Sequence, residues 1–240
     1  MIDLSLLQKY MEEHGVSLSP DQFQKFSSFY DLLIEKNKVM NLTAITEPEE
    51  VVTKHFIDSL SVISVFEDIS SAEYRLIDVG TGGGFPGIPL KIAFPNLHIT
   101  LFDSLQKRIL FLQDVILELG LSDIDAIHGR AEDFGRDESY REKYDLCVSR
   151  AVANLSTLSE YCLPFVKSGG TFISYKTDSV DEELSAASGA ITILGGGNPR
   201  IQKYELYSTD AMRSLLIIDK VKSTPKKYPR KAPLPKKSPL

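Results

Sequence analysis

The 240-residue chain has no tryptophan, two cysteines, four histidines and no apolar run long enough to span a bilayer. Each scarcity excludes something. Two cysteines cannot build a disulfide framework. Cys147 and Cys162 also sit in apolar surroundings without metal-ligand spacing, which predicts buried, reduced core residues of a cytosolic protein. The histidines and cysteines form no ligand constellation, so no metal is expected. Without a stretch of about 20 apolar residues, no membrane helix is expected either. The start, Met-Ile-Asp-Leu-Ser-Leu-Leu-Gln-Lys, lacks the basic flank and small-residue cleavage site of a signal peptide. Together these point to a cytoplasmic location.

Acid is missing from one region only. Residues 220–240 carry eight bases (Lys220, Lys222, Lys226, Lys227, Arg230, Lys231, Lys236 and Lys237) and no Asp or Glu. The first 219 residues then hold 19 bases against 33 acids, so a tail of +8 follows a body of −14. Such asymmetry suits an acidic polymer as partner, although terminal charge runs are also commonly just solvated. Prolines 225, 229, 233, 235 and 239 predict an extended strand for this tail, able to follow a phosphate backbone. Its residues follow every expected cofactor contact, so its removal is expected to leave cofactor affinity little changed.

Patterning divides the remainder. Residues 1–70 read as a helical cap. Leu4, Leu7, Tyr10 and Met11 stop at His14-Gly15, and Ser19-Pro20-Asp21-Gln22 opens a second helix with a capping box. Thr46-Glu47-Pro48-Glu49 predicts a third start, ahead of Val51, Val52, Phe56 and Leu60. Residues 71–221 alternate strands (74–79, 98–103, 124–128, 144–149, 170–175) with helices (87–93, 104–119, 153–162, 178–188). They finish in a strand pair near 201–207 and 214–221, after a Gly195-Gly196-Gly197-Asn198-Pro199 loop. Alternation of this kind predicts an α/β fold, a mainly parallel sheet with helices on both faces. Residues 222–240 are the basic tail.

The first strand runs into Asp78-Val-Gly80-Thr-Gly82-Gly-Gly84-Phe85-Pro86-Gly87, and the second ends on Asp103. A loop stripped of side chains lets the backbone approach a ligand, and a carboxylate after the next strand suits ribose hydroxyls. A nucleoside cofactor is expected. Gly82 to Gly87 formally satisfies the GxGxxG pattern of a dinucleotide site, which leaves a nicotinamide-dependent oxidoreductase as one alternative. The overlapping Asp78-x-Gly80-x-Gly82-x-Gly84 resembles the first motif of class I S-adenosylmethionine-dependent methyltransferases.

Further segments occur in a fixed order: Asn41-Leu42-Thr43-Ala44-Ile45, His55-Phe56-Ile57-Asp58-Ser59-Leu60, Asp78 to Pro89, Asp103-Ser104-Leu105-x-Lys107-Arg108, Gly129-Arg130-Ala131-Glu132 and Ser149-Arg150-Ala151. Together they resemble the RsmG family, also called GidB, over nearly the whole chain. The resemblance implies a Rossmann-like class I methyltransferase fold with a helical N-terminal cap. It further implies S-adenosyl-L-methionine as cofactor and methylation of N7 of a guanine in bacterial 16S ribosomal RNA, with the 30S particle as partner and the chain a monomer. It brings cofactor contacts to Gly80, Phe85, Asp103, Ser104, Leu105, Ala131, Glu132 and Arg150, to which the glycine loop adds Gly82 and Gly84; RNA contacts are expected at Asn41, His55, Lys176, Lys226, Lys227 and Arg230. The chain departs from the family pattern at Tyr175-Lys176-Thr177 and at Lys231-Ala232-Pro233-Leu234-Pro235. A ribosome-associated factor that keeps the fold without catalysis is the second alternative.

The residues are consistent with such a reaction. No Asn/Asp-Pro-Pro-aromatic motif follows the fourth strand, as methylation of exocyclic amines commonly needs. Cys147 lacks the proline-cysteine setting of a C5 nucleophile. Guanine N7 has a free lone pair and no proton to remove, so positioning is the main requirement. Arg150 is expected to hold the cofactor end or orient the guanine, whose O6 and N7 accept a fork; otherwise it pairs with an acid. Glu132 borders the adenine or is a helix-start carboxylate. His55 and Asp58 share a helix face and read as a satisfied pair or as substrate-side groups.

Overall fold

The computed structural model describes residues 2–150, 152–177 and 180–240. Ala151 of the Ser149-Arg150-Ala151 motif, and residues 178 and 179 of the predicted helix 178–188, lie outside the described residues.

Helix α1 (Ser5–Glu13) stops before Gly15, whose φ of +73° turns the chain back. Helix α2 (Pro20–Met40) opens with the expected capping box: Gln22 N donates to Ser19 Oγ, and Ser19 N donates to the Gln22 side chain. The third start differs from the expectation. Helix α3 (Pro48–Val51) begins on Pro48 with Glu47 as its N-cap and no side-chain cap; Thr46 lies one residue earlier, its carbonyl accepting from the Tyr30 hydroxyl. The chain then widens into a π-helical stretch, Val52–Ile57, and closes as α4 (Asp58–Leu60).

Strands β1 (Arg75–Val79), β2 (His98–Asp103), β3 (Ile124–His128) and β4 (Tyr144–Arg150) alternate with α5 (Gly87–Ala93), α6 (Gln106–Glu118) and α7 (Ala131–Phe134). Helix α8 (Leu155–Cys162), capped by Asn154, leads to β5 (Val166–Thr177). Helix α9 (Asp181–Ile193), β6 (Gly196–Glu205), β7 (Met212–Lys220) and α10 (Leu234–Lys237) complete the chain. The seven-stranded sheet has the order β3-β2-β1-β4-β5-β7-β6, parallel from β3 to β5, with β7 antiparallel to both neighbours.

Adjacent strand residues face opposite layers. Leu76 and Leu101 join a core with Met11, Phe26, Phe29 and Phe56 of the N-terminal helices. Ile77 and Phe102 join another, with Leu158, Phe172 and Ile191. Two expectations near the C-terminus are corrected. The glycine run at 195–197 is not all loop: β6 starts at Gly196, and its pairing with β7 slips between Gly197 and Arg200. The tail is not a free extended strand either. Tyr228 is buried in the second core, Lys220 is 1% exposed, and a helical turn forms at Leu234–Lys237. Among the described residues, no helix is long and apolar enough to cross a membrane.

Candidate functional site

Parallel strands bring their carboxyl ends to one edge of the sheet, where ligands bind in open α/β folds. Asp78, fully buried, turns one oxygen onto the loop: Oδ2 accepts from Thr81 Oγ1 at 2.7 Å and Gly87 N at 2.9 Å. Its Oδ1 has no partner among the described residues. Burial raises the Asp78 carboxyl to about 7, against the opposing pull of the two hydrogen bonds and the charge of Arg150.

Asp103 closes β2 and fixes the loop from the other side. Its Oδ2 accepts from Gly82 N at 3.0 Å and Arg108 at 3.2 Å, and its Oδ1 from Leu105 N at 2.9 Å. Two positions in the loop require glycine for different reasons. Gly80 has φ +76°, and a Cβ there would overlap the Val152 side chain. Gly82 has φ +60°, but a Cβ would meet only Gly80 O at 3.9 Å, so backbone conformation is the constraint there.

A cavity of about 270 Å³ opens between these strand ends. Gly80, Asp103 and Ser104 line it from β1 and β2, Ala131 and Glu132 from the start of α7, and Tyr161 from α8. Burial, then the neighbouring Glu132 carboxylate, push the Tyr161 hydroxyl up to about 12. Lys236 of α10 completes the lining. A larger hollow of about 550 Å³ lies by Arg75, His98 and Asp123 at the opposite strand ends, away from the glycine loop.

Phe85 and Arg150 belong to a second cluster. The Phe85 ring is buried against Phe29 and stacks on His55 at 4.4 Å between centroids, and the Arg150 guanidinium lies 5.1 Å above it. Arg150 donates to Asp58 Oδ2 at 2.8 Å, the Lys54 carbonyl at 3.2 Å and His55 Nδ1 at 3.1 Å. His55 Nε2 meets Thr43 Oγ1 at 2.8 Å. Burial, reinforced by the Arg150 charge, lowers His55 to about 3, so the ring is neutral: Nδ1 accepts from Arg150 and Nε2–H donates to Thr43. Asp58 also accepts from the Tyr204 hydroxyl at 3.2 Å.

The structure thus gathers Gly80, Asp103, Ser104, Ala131 and Glu132 around one cavity. Gly82 and Leu105 reach it through their amides on Asp103; Gly84, with φ +97°, shapes the turn. The residues expected to meet RNA are scattered. Asn41 is the exposed left-handed residue ending α2, and Lys226 and Lys227 are exposed. His55 is buried beside Arg150. Lys176 donates to Glu183 at 2.8 Å and the Ala153 carbonyl at 3.2 Å. Arg230 is clamped on the buried Glu160 at 2.6 Å, so its guanidinium is engaged within the chain.

Sequence reasoning missed Tyr161, Val152 and Lys236. None lies in a motif, and each reaches the cavity by tertiary packing. Arg108 closes the Asp103-Ser104-Leu105-x-Lys107-Arg108 segment, and its place on the first turn of the helix after Asp103 is the available clue.

The profile of the GidB family, described as rRNA small subunit methyltransferase G, matches residues 22–209. The chain is 52% identical over 241 residues to ribosomal RNA small subunit methyltransferase G of Desulforamulus reducens, covering all of both chains. It is 50% identical over 235 residues to the same protein of Alkaliphilus metalliredigens, covering 98% of each. Among solved structures, TYW2 of M. jannaschii in complex with AdoMet superposes with a TM-score of 0.51 at 13% identity, over 68% of this chain and 77% of that one. A putative transferase from Pyrococcus horikoshii gives 0.53 at 13% identity, over 69% and 64%. At such identities the likeness is one of fold.

Proposed function

The chain belongs to the GidB family of rRNA small subunit methyltransferase G proteins, and on that premise we propose that it methylates N7 of a guanine in 16S ribosomal RNA. It has the class I methyltransferase fold, and its activity is that of a methyltransferase of small-subunit ribosomal RNA. S-adenosyl-L-methionine is the proposed methyl donor, held in the cavity at the ends of β1, β2 and β3. In this reading residues 71–221 hold the cofactor, residues 1–70 cap the substrate side, and residues 222–240 form the basic tail. The chain acts as a monomer in the cytoplasm, with the 30S particle as partner.

The observation that carries the cofactor reading is the buried carboxylate pair of one cavity. Asp103 and Glu132 stand 3% and 7% exposed around a space that Gly80 of the glycine loop also lines. Each carboxylate oxygen has two lone pairs, so Asp103 keeps acceptor capacity for ribose hydroxyls after serving Gly82, Leu105 and Arg108. Glu132 suits the amino edge of adenine. A dinucleotide fits poorly. The Gly87 amide, which a pyrophosphate would need at the start of α5, donates to Asp78 instead, and a second negative charge there would meet that carboxylate.

When bound, S-adenosylmethionine supplies a methyl group on a sulfonium: the carbon–sulfur bond breaks as a carbon–N7 bond forms, and the positive charge passes to the guanine. No proton leaves, so no base is required, and both nitrogens of the neighbouring His55 are engaged. Arg150 has given three of its five N–H groups to Asp58, Lys54 and His55. The remaining donors serve guanine O6 or the cofactor carboxylate, leaving the N7 lone pair open. Held by its neighbours, the guanidinium loses little freedom on binding, which is how positioning lowers a barrier.

Labelled methyl transfer to naked 16S RNA and to 30S particles, followed by mapping, tests this function. The expected product is a single 7-methylguanine. A methyl on an exocyclic amine or a pyrimidine carbon would refute it.

A further inference from the structure

We propose that the C-terminal segment is a wall of the cofactor cavity, and that Lys236 is a binding residue for the adenosine end of the ligand. This rests on the assignment of that cavity to the cofactor. The segment is fastened at three points on the way to the site. Arg141 donates to the carbonyls of Thr224 at 2.6 Å and Tyr228 at 2.9 Å, while Arg136 donates to those of Lys227 at 3.1 Å and Pro229 at 2.7 Å. Next, Glu160 accepts from the Arg230 backbone N at 2.6 Å and from its guanidinium at 2.6 and 2.9 Å. Last, Thr157 Oγ1 donates to the Pro235 carbonyl at 3.0 Å, and Pro235 is buried. The next residue is Lys236, on the cavity.

The anchors and the cavity share one helix. Glu160 is the residue before Tyr161 on α8, so the turn that binds Arg230 also presents Tyr161 to the ligand space. Displacing the tail therefore takes away Lys236 and loosens the setting of Tyr161 together. The charge is also complementary. Asp103 and Glu132 are buried carboxylates of one cavity whose lining also carries Arg130, and Lys236 adds a further positive charge to that lining while offering donors to the acceptor nitrogens of adenine. This runs against the expectation that cofactor affinity is indifferent to the tail, which assumed a segment apart from the body.

Calorimetry with S-adenosylhomocysteine on the full-length protein, a chain ending at Ala232 and Lys236→Ala tests the proposal. The truncation keeps the Glu160–Arg230 pair, and circular dichroism checks its fold. Expected is a loss of about tenfold or more for the truncation and roughly three- to tenfold for Lys236→Ala, with Lys236→Arg restoring most of it. A folded truncation binding within about twofold of full length would overturn the wall and leave the cofactor assignment intact. Failure of the full-length protein to bind would overturn the cofactor assignment, and this proposal with it.

Discussion

Arg150 is worth more for its three fixed bonds than for its charge. Lysine at this position would keep the charge but could not span Asp58, Lys54 and His55 at once, because an ammonium is a point donor and a guanidinium a planar fork. Arg150→Lys should lower kcat/KM for 30S particles by about 10–100-fold, equivalent to about 1.4–2.7 kcal/mol, with the fold unchanged by circular dichroism. His55 and Asp78 titrate in opposite senses. The folded His55 sits at about 3, below its ordinary 6.5, so its contribution to stability is complete above 6.5 and lost as pH falls toward 3. The folded Asp78 sits at about 7, above its ordinary 3.8, so its contribution is complete below 3.8 and lost as pH rises toward 7. Between roughly 4 and 6.5 the two slopes oppose each other. His55→Gln removes one of them, so the ligand-free variant should lose stability on going from pH 4.5 to 6.5 relative to the wild-type profile. Urea midpoints at both pH values measure this, and parallel profiles would contradict it.

The glycine loop works as one element, clipped at both ends by carboxylates. Gly82 carries its φ of +60° while its amide rests on Asp103. Gly82→Val should cost about 1–2 kcal/mol of stability, the penalty for a branched residue in left-handed backbone, and abolish S-adenosylhomocysteine binding. Unchanged affinity in calorimetry would dissociate this loop from the ligand. Elements of this kind were legible because local chemistry defines them. Strand 98–103 and helix 87–93 emerged at their observed bounds from apolar runs and turn residues. The start at Thr46 misled because a sequence can spell a capping box without forming one: the helix opens after Glu47, and no side chain caps it. In the same way, Asp103 and Glu132 announced themselves through strand ends and motif order. Tyr161 and Lys236 depend on contacts such as Glu160 with Arg230, which lie 70 residues apart in sequence.

At the scale of the molecule, the net charge of −6 is a poor guide to what RNA meets. Lys220 is buried, its ammonium bonded to the Thr224 hydroxyl at 2.6 Å with Glu142 at 3.4 Å, and Arg230 is spent on Glu160. The six remaining tail lysines are exposed. Glu160 is wholly buried, so breaking its pair leaves an uncompensated charge. Arg230→Ala should therefore cost about 3–5 kcal/mol in denaturant unfolding, far above a surface ion pair. A loss under about 1 kcal/mol would mean the tail is only lightly attached.

The strand order β5-β7-β6 also dictates a timetable. On a translating ribosome β6 emerges before the strand it must pair with, and it stays unpaired until β7 clears the exit tunnel. The segment carrying Lys236 follows β7 out of the tunnel. Nascent chains stalled with β7 still in the tunnel should thus be cut by protease within β6, and released chains should not. Equal protection in both would show that β6 is sheltered early by other contacts. On this timetable, a chain whose substrate is part of the ribosome closes its own sheet only after a ribosome has released β7.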